Sequence, residues 1–304
     1  MNLSSISVVI PVYQCAERLP AHSDCLRMLS PMVHELIWVI TESPDGSHQV
    51  AREAATKLGG QVLDVPRGLY QAWNSGIARA TGEFIYISTV GDTITLEGLN
   101  ALSICLHKNE ADVVFSPPIV LPTTRANLKR LRSWTVFKWA KILQRYAGGR
   151  LPKEKAFLLQ ILSGASGLLG SCASCLFRAS LLQSRPFPSE YHHYGDTAWT
   201  FRNLPEISLA FHTHPVARFI MHDEDAARTI DKGQIYHLIK ELGTRLQPRL
   251  TSAVDEYVHA CVKIDLIRDP KPRFGWWWIL TAWKERIIRN RAERFLLKEL
   301  QASK

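Results

Sequence analysis

The sequence predicts a doubly wound α/β fold, with a mostly parallel sheet covered by helices on both faces, and three observations carry that expectation. Over residues 1–118, short apolar runs alternate with helical segments of about 10–15 residues, the spacing of β-α-β units. The first strand leads into Pro11-Val12-Tyr13, with neither the G-x-G-x-x-G of a dinucleotide site nor a P-loop. Pro11–Tyr13, residues 41–45 and residues 89–92 all fall at carboxyl ends of predicted strands, where open α/β sheets bind ligands.

Taken in order, residues 7–10 (SVVI) form the first strand and residues 17–29 the first helix. Residues 36–40 form the second strand, and Ser43-Pro44-Asp45-Gly46 has the composition of a turn. A helix over 47–58 and a strand over 61–65 follow. Leu69, Ala72, Trp73, Ile77 and Ala80 recur at three- and four-residue steps, which predicts a helix over 69–80 buried on that face. Gly82 is placed to end it in a left-handed cap, and residues 83–88 read as a buried strand. A helix over 96–107 and a strand over 112–115 complete this part, before Pro117, Pro118 and Pro122 break the pattern. The chain thus divides into residues 1–118, a basic helical insertion over 119–163, a second part over 164–232 with a strand at 174–178, and a helical extension over 233–304. In that extension Pro270 and Pro272 precede a final helix over 276–300.

Hydrophobic residues make up 46% of the 304 and charged residues 21%, ordinary for a chain with a sizeable core, which excludes global disorder. The six cysteines lack disulfide-framework spacing, and the lone C-x-x-C at Cys172–Cys175 has no second pair or spaced histidines for zinc, so reduced thiols are expected. His192-His193 and His212/His214 likewise lack a metal-ligand frame and read as surface or loop histidines. The net charge of +9 is uneven: residues 1–118 hold seven Lys/Arg against twelve Asp/Glu, 119–155 ten against one, and 263–304 eleven against five. Both basic segments interleave aromatics: Trp134, Phe137, Trp139 and Tyr146 in the first, Phe274, Trp276, Trp277, Trp278 and Trp283 in the second. Three readings fit them: a bilayer interface, a single-stranded nucleic acid, or a solvated basic face whose aromatics pack inward. No nucleic-acid fold signature is present, and nucleic acid is not an expected partner. The start has an apolar run of about four residues and no basic leader, and no segment reaches about 18 apolar residues. The expected location is therefore cytoplasmic, peripheral on the inner face of the cell membrane.

Gly68–Glu83 follows the block G-I/L-Y-x-A-x-N-x-G-I-x-x-A-x-G-E, and Ser7-Val-Val-Ile-Pro-Val-Tyr13 is similar to S-V-V-I-P-V-Y-N. Both belong to the family-2 glycosyltransferases, which the chain resembles closely over about 6–120 and more loosely over 165–229. Phe187-Pro-Ser-Glu190 and Tyr194-Gly-Asp196 through Arg202 resemble the family segment F-D-E…D-Y/W-x-F/L-x-x-R. The resemblance implies a GT-A fold and transfer of a sugar from a nucleotide-diphosphate donor, with inversion at the anomeric carbon, to a glycan or lipid-linked acceptor in cell-surface polysaccharide synthesis.

It also implies roles for individual residues. Pro11 and Tyr13 would cradle the base, Glu42 would receive base or ribose, and Asn74 would contact ribose or diphosphate. Asp196 would be the base that takes the acceptor's proton, and Arg202, Arg218 and Arg228 would face diphosphate or acceptor. Relatives use Mg²⁺ or Mn²⁺, and no organic cofactor is implied. Where relatives read D-A/S-D-D, however, this chain reads Thr89-Val90-Gly91-Asp92, which leaves Asp92 for the nucleotide sugar and, with His222, for a metal, or else Arg218 or Arg228 to neutralise the diphosphate without one. That gap keeps a second reading open, a non-catalytic nucleotide-sugar or glycan-binding partner in a polysaccharide-assembly complex.

Overall fold

The strands run in chain order β1 (Ile6–Val12), β2 (Val33–Ile40), β3 (Gln61–Asp64), β4 (Phe84–Ile87), β5 (Thr93–Ile94) and β6 (Val113–Phe115). They continue with β7 (Ile119–Leu121), β8 (Arg150–Leu151), β9 (Cys175–Arg178), β10 (Leu209–Phe211) and β11 (Ala217–Ile220). The computed structural model describes residues 5–121, 134–163, 167–220, 232–244, 246, 248–268 and 276–302. Eight strands form one sheet in the order β3-β2-β1-β4-β9-β6-β10-β8, and β5-β11-β7 form a small second sheet. β1 pairs in parallel with β2 on one edge and β4 on the other, so the order reverses at β1 and opens a crevice at the carboxyl ends of β1 and β4.

The continuous apolar runs of β1, β2 and β4 are those of strands covered on both faces. Val9, Ile37, Val39, Ile85 and Ile87 face a core shared with the helix Leu69–Arg79. Their neighbours Val8, Ile10, Trp38, Ile40, Phe84 and Tyr86 face the helices Leu19–Leu29 and Leu96–Lys108 on the other side. The period-2 alternation sorts these residues between two cores.

The sheet is mostly parallel, as expected, and also takes in two antiparallel strands, β9 and β8, so that the second part of the chain enters it between β4 and β6. Other expectations need correction. The β5-β11-β7 sheet had no sequence signal. Leu69 is 44% exposed and Tyr70 is buried instead, because the helix Leu69–Arg79 turns its ring toward the second part of the chain. The helix ends in extended backbone at Ala80, not in a left-handed cap. Gly82 is needed for another reason: a Cβ there would lie 2.7 Å from Ser5 O and 2.9 Å from Ser7 N, so glycine lets the chain pass against the start of β1.

The aromatics of the first basic segment face inward. Trp134, Phe137, Trp139 and Tyr146 pack on the main core, and Trp139 Nε1 donates to Ser163 Oγ at 3.1 Å. Two lysines of this segment serve helix ends. Lys138 Nζ donates to Leu162 O at 2.8 Å, and the buried Lys155 Nζ donates to Glu299 O at 2.5 Å and Leu300 O at 2.8 Å. Lys155 thereby satisfies carbonyls in the last turn of the helix Trp276–Ala302 and anchors the C-terminal helices to the helix Lys153–Ser163.

Helix-on-sheet packing is closest at Gly76, where a Cβ would sit 2.5 Å from Val9 Cγ1 and 2.8 Å from Val39 Cγ2. Gly76→Ala should therefore destabilise the fold by about 1–3 kcal/mol through overpacking. Urea unfolding measures this, and an unchanged midpoint would show that the helix has room to shift.

Candidate active site

The β1 exit supplies the first wall of the crevice. Pro11 is half-buried opposite Val39 of β2, and Tyr13 follows where the strand ends. The Arg67 guanidinium lies 5.0 Å from the centre of the Tyr13 ring. A ring and a guanidinium plane placed this way can stack a flat heteroaromatic group. The neighbouring turn is held by Asp45. Its Oδ2 accepts from Ala16 N at 3.0 Å, and its Oδ1 accepts from Ser43 Oγ at 2.9 Å and Ser47 N at 3.1 Å. These hydrogen bonds hold its carboxyl well below the usual carboxylate range and tie the β2 exit to the β1 exit. Glu42, the acid expected to receive base or ribose, stands exposed beside this tie.

The second wall is the β4 exit. Ser88 Oγ pairs with Nε2 of the buried His22 at 3.0 Å, and burial lowers the His22 pKa to about 4, so its ring is neutral. Residues 89–92 then make a turn closed by Asp92 N donating to Thr89 O at 3.0 Å, with Gly91 at φ +107°. Asp92 is only 4% exposed, and Oδ1 accepts from Ile220 N of β11 at 2.9 Å. Burial pushes its carboxyl up to about 7, against the opposing pull of that N–H and of Arg18.

The third wall comes from the second part of the chain. Asp196 lies in the first turn of the helix Gly195–Asn203, half-buried, and its Oδ1 accepts from Thr197 N at 2.6 Å. Burial raises its pKa, while Thr197 and the Tyr70 hydroxyl, which bonds to the carboxylate, lower it. The Tyr70 ring reaches this position because residue 195 is glycine: a Cβ there would lie 2.4 Å from two ring carbons. Asp92 and Asp196 both act electrostatically on the buried Cys172 thiol. All six cysteines are free thiols. Just before Asp196, His192 has φ 47° and ψ −121°, a strained backbone of the kind that clusters at functional sites.

Other candidates sit differently from expectation. Asn74 Nδ2 donates to Phe187 O at 2.8 Å while its Oδ1 accepts from Phe187 N at 2.9 Å, so the amide faces the peptide of the second part of the chain rather than the crevice. Arg202 lies at the far end of the helix from Asp196, paired with Glu190 at 3.0 Å and stacked on Tyr191. Arg218 is exposed on β11, opposite Thr93 and within electrostatic reach of Cys25. His222 and Arg228 lie outside the described residues. Arg18 and Arg67 reach the crevice without having been singled out in the sequence. Arg67 had one available signal, its place directly before the Gly68 block.

Among the described residues, the donors at the β4 exit do not fit a divalent cation. Gly91 offers no side chain, Thr89 offers only a hydroxyl, and the Asp92 carboxyl is enclosed and engaged with Ile220. Among the described residues, no group of three or more His, Cys, Asp and Glu side chains could hold a metal ion.

Because burial raises the pKa of Asp92, the folded state binds its proton more tightly than the unfolded chain does. The stability it contributes is full below about pH 4 and is lost as the pH rises through about 7. Asp92→Asn keeps an oxygen for Ile220 N–H and removes the titration. The stability difference between variant and wild type in urea should grow in the variant's favour between about pH 4 and pH 8, by up to about 4 kcal/mol. A difference independent of pH would mean that the carboxyl is solvated.

The sequence model described as glycosyl transferase family 2 matches residues 7–166. No curated protein sequence matches the chain. Among solved structures, S. aureus TarS 1–349 in complex with UDP-GlcNAc is similar at 13% identity and a TM-score of 0.62, over 98% of this chain and 92% of that one. A longer S. aureus TarS structure is similar at 13% identity and a TM-score of 0.58, over 96% of this chain but 54% of that one. Glucosyl-3-phosphoglycerate synthase from Mycobacterium tuberculosis, in complex with Mn²⁺, UDP and glucosyl-3-phosphoglycerate, is similar at 17% identity and a TM-score of 0.52, over 79% of this chain and 80% of that one. The fold, the crevice at the β1 and β4 exits and the family match agree: this chain belongs to glycosyl transferase family 2 and is a glycosyltransferase of the GT-A fold.

Proposed function

We propose that the protein transfers a sugar from a nucleotide-diphosphate donor to a hydroxyl of a glycan or lipid-linked acceptor, with inversion, in the synthesis of a cell-surface polysaccharide. One observation supports this reading: the Asp196 carboxylate, on the second part of the chain, is bonded by the hydroxyl of Tyr70 from the helix Leu69–Arg79, and burial raises its pKa. The base stacks on the pair formed by Tyr13 and Arg67, beside Glu42, and the diphosphate lies at the β1 and β4 exits. The Asp196 carboxylate takes the acceptor hydroxyl's proton as that oxygen attacks the anomeric carbon. The bond from that carbon to the diphosphate oxygen breaks, the nucleoside diphosphate leaves with the electron pair, and the proton remains on Asp196. UDP-sugar complexes of fold relatives support a nucleotide-sugar donor.

The acceptor's lipid link brings in the second basic segment. Among the described residues no helix is long and apolar enough to cross a membrane. The helix Trp276–Ala302, however, exposes Leu280 (60%), Trp283 (63%), Ile287 (44%) and Phe295 (37%) along one face. Lys284, Arg291, Arg294 and Lys298 are exposed among them, while Glu285 is buried. Apolar side chains set among cations fit an anionic bilayer surface on the cytoplasmic side, and the cations would repel a second copy of the same face.

Calorimetric titration with UDP-, GDP- and dTDP-sugars should find a donor that binds; no binding by any of them would sink the transferase reading. Asp196→Asn should keep that binding and lower turnover by about 10²–10⁴. Turnover should rise with pH through an apparent pKa above the ordinary aspartate value of about 3.9, since the carboxylate is the active form. Tyr70→Phe removes a hydrogen bond that favours the charged form and should move that limb to higher pH, and an unmoved limb would reject Tyr70 as the group that tunes the base. In a separate assay, the full chain should co-sediment with anionic phosphatidylglycerol vesicles, and Leu280→Ser with Trp283→Ser should abolish it. Retention by the double variant would reject this face.

A further inference from the structure

We propose that the Arg18 guanidinium supplies the positive charge that offsets the donor diphosphate, in the place where relatives put a metal-bound carboxylate; this rests on the nucleotide-sugar reading above. Gly91 stands where the family's cluster carries one of its aspartates. A Cβ built on Gly91 would lie 3.3 Å from Arg18 Cδ and 3.7 Å from Arg18 Nε. A carboxylate side chain at residue 91 would therefore project into the space that the arginine stem fills. The φ of +107° at Gly91 further disfavours any side chain there. The Arg18 stem thus packs against the position where a side chain at residue 91 would begin.

Arg18 is positioned by the β1 exit. Its N–H donates to Cys15 O at 3.0 Å, and Nη2 donates to Gln14 O at 3.2 Å. Those bonds hold Arg18 between the β1 and β4 exits, close enough to Asp92 to act on its carboxyl. Asp92 Oδ1 itself is engaged by Ile220 N–H. A planar guanidinium can donate two parallel hydrogen bonds to phosphate oxygens, and it keeps its charge at any pH at which the protein is folded. Both properties suit a diphosphate that must be held before transfer and whose charge grows as it leaves.

The test is calorimetry of UDP, GDP and dTDP against the full chain, each in EDTA and in Mn²⁺, followed by the monophosphate of whichever base binds. Wild type should bind the diphosphate with the same affinity in EDTA and in Mn²⁺. Arg18→Gln should weaken the diphosphate by about tenfold or more and the monophosphate by far less. Arg18→Lys, which keeps a point charge, should fall between and serves if Arg18→Gln does not fold. Binding that requires Mn²⁺, or an Arg18→Gln variant that binds like wild type, overturns the proposal and leaves the transferase reading standing. If none of the three diphosphates binds in either condition, the transferase reading falls and this inference with it.

Discussion

Strand β9 is gripped on both edges by strands from the first 118 residues. Phe84 and Ile85 of β4 pair with Arg178 and Phe177, and Val113–Phe115 of β6 pair with residues 177 to 175 on the other side. The strand is only four residues long, yet the site depends on it. It carries the short helix Cys172–Ser174 to the foot of the β4 exit and starts the helix Ala179–Ser184 on the side that leads to Phe187 and Asp196. Because β9 is antiparallel, it begins at the carboxyl ends of β4 and β6 and ends at their amino ends, so it sets Cys172–Ser174 beside the strand exits; in a parallel β9 those residues would lie at the opposite end of the sheet.

Enclosing the site in this way buries ionisable groups, and each is handled by its surroundings. The His22 ring is kept neutral, and the Cys172 and Cys175 thiols are driven far from ionisation. The two carboxyls receive donors: Ile220 N–H at Asp92, Thr197 N–H and the Tyr70 hydroxyl at Asp196. Burial without donors would neutralise both acids outright, and full solvation would return them to ordinary aspartates. The partial compromise leaves Asp92 fixing a loop and Asp196 with a carboxyl raised above its ordinary value.

Much of this was legible in the sequence because it is local. The runs in β1, β2 and β4 are continuous and apolar, and the helices between them are periodic, so the doubly wound plan follows from short-range pattern. What escaped depends on contacts far along the chain. Helical periodicity cannot tell Leu69 from Tyr70 as the buried residue, because the choice is made by an aspartate in the second part of the chain. Gly82 looked like a cap, and only the nearness of Ser5 and Ser7 reveals a steric requirement. Asn74 resembles a ligand contact in the family block, but its amide is complementary to the peptide of Phe187. Arg18 and Arg67 are single cations in irregular loops, where no periodicity singles out one arginine from another.

Tyr70 and Asn74 stand four residues apart, one turn, on the helix Leu69–Arg79. The first holds Asp196 and the second holds the Phe187 peptide, so one helix of the first part acts as a jig for both ends of the segment from Phe187 to Asp196. The two parts of the chain are consequently not modules that can be exchanged at a linker. A sequence change that moves the Gly195 turn must be matched by one at residue 70. Recombination between relatives would keep a working geometry only when the helix and the segment it templates are inherited together.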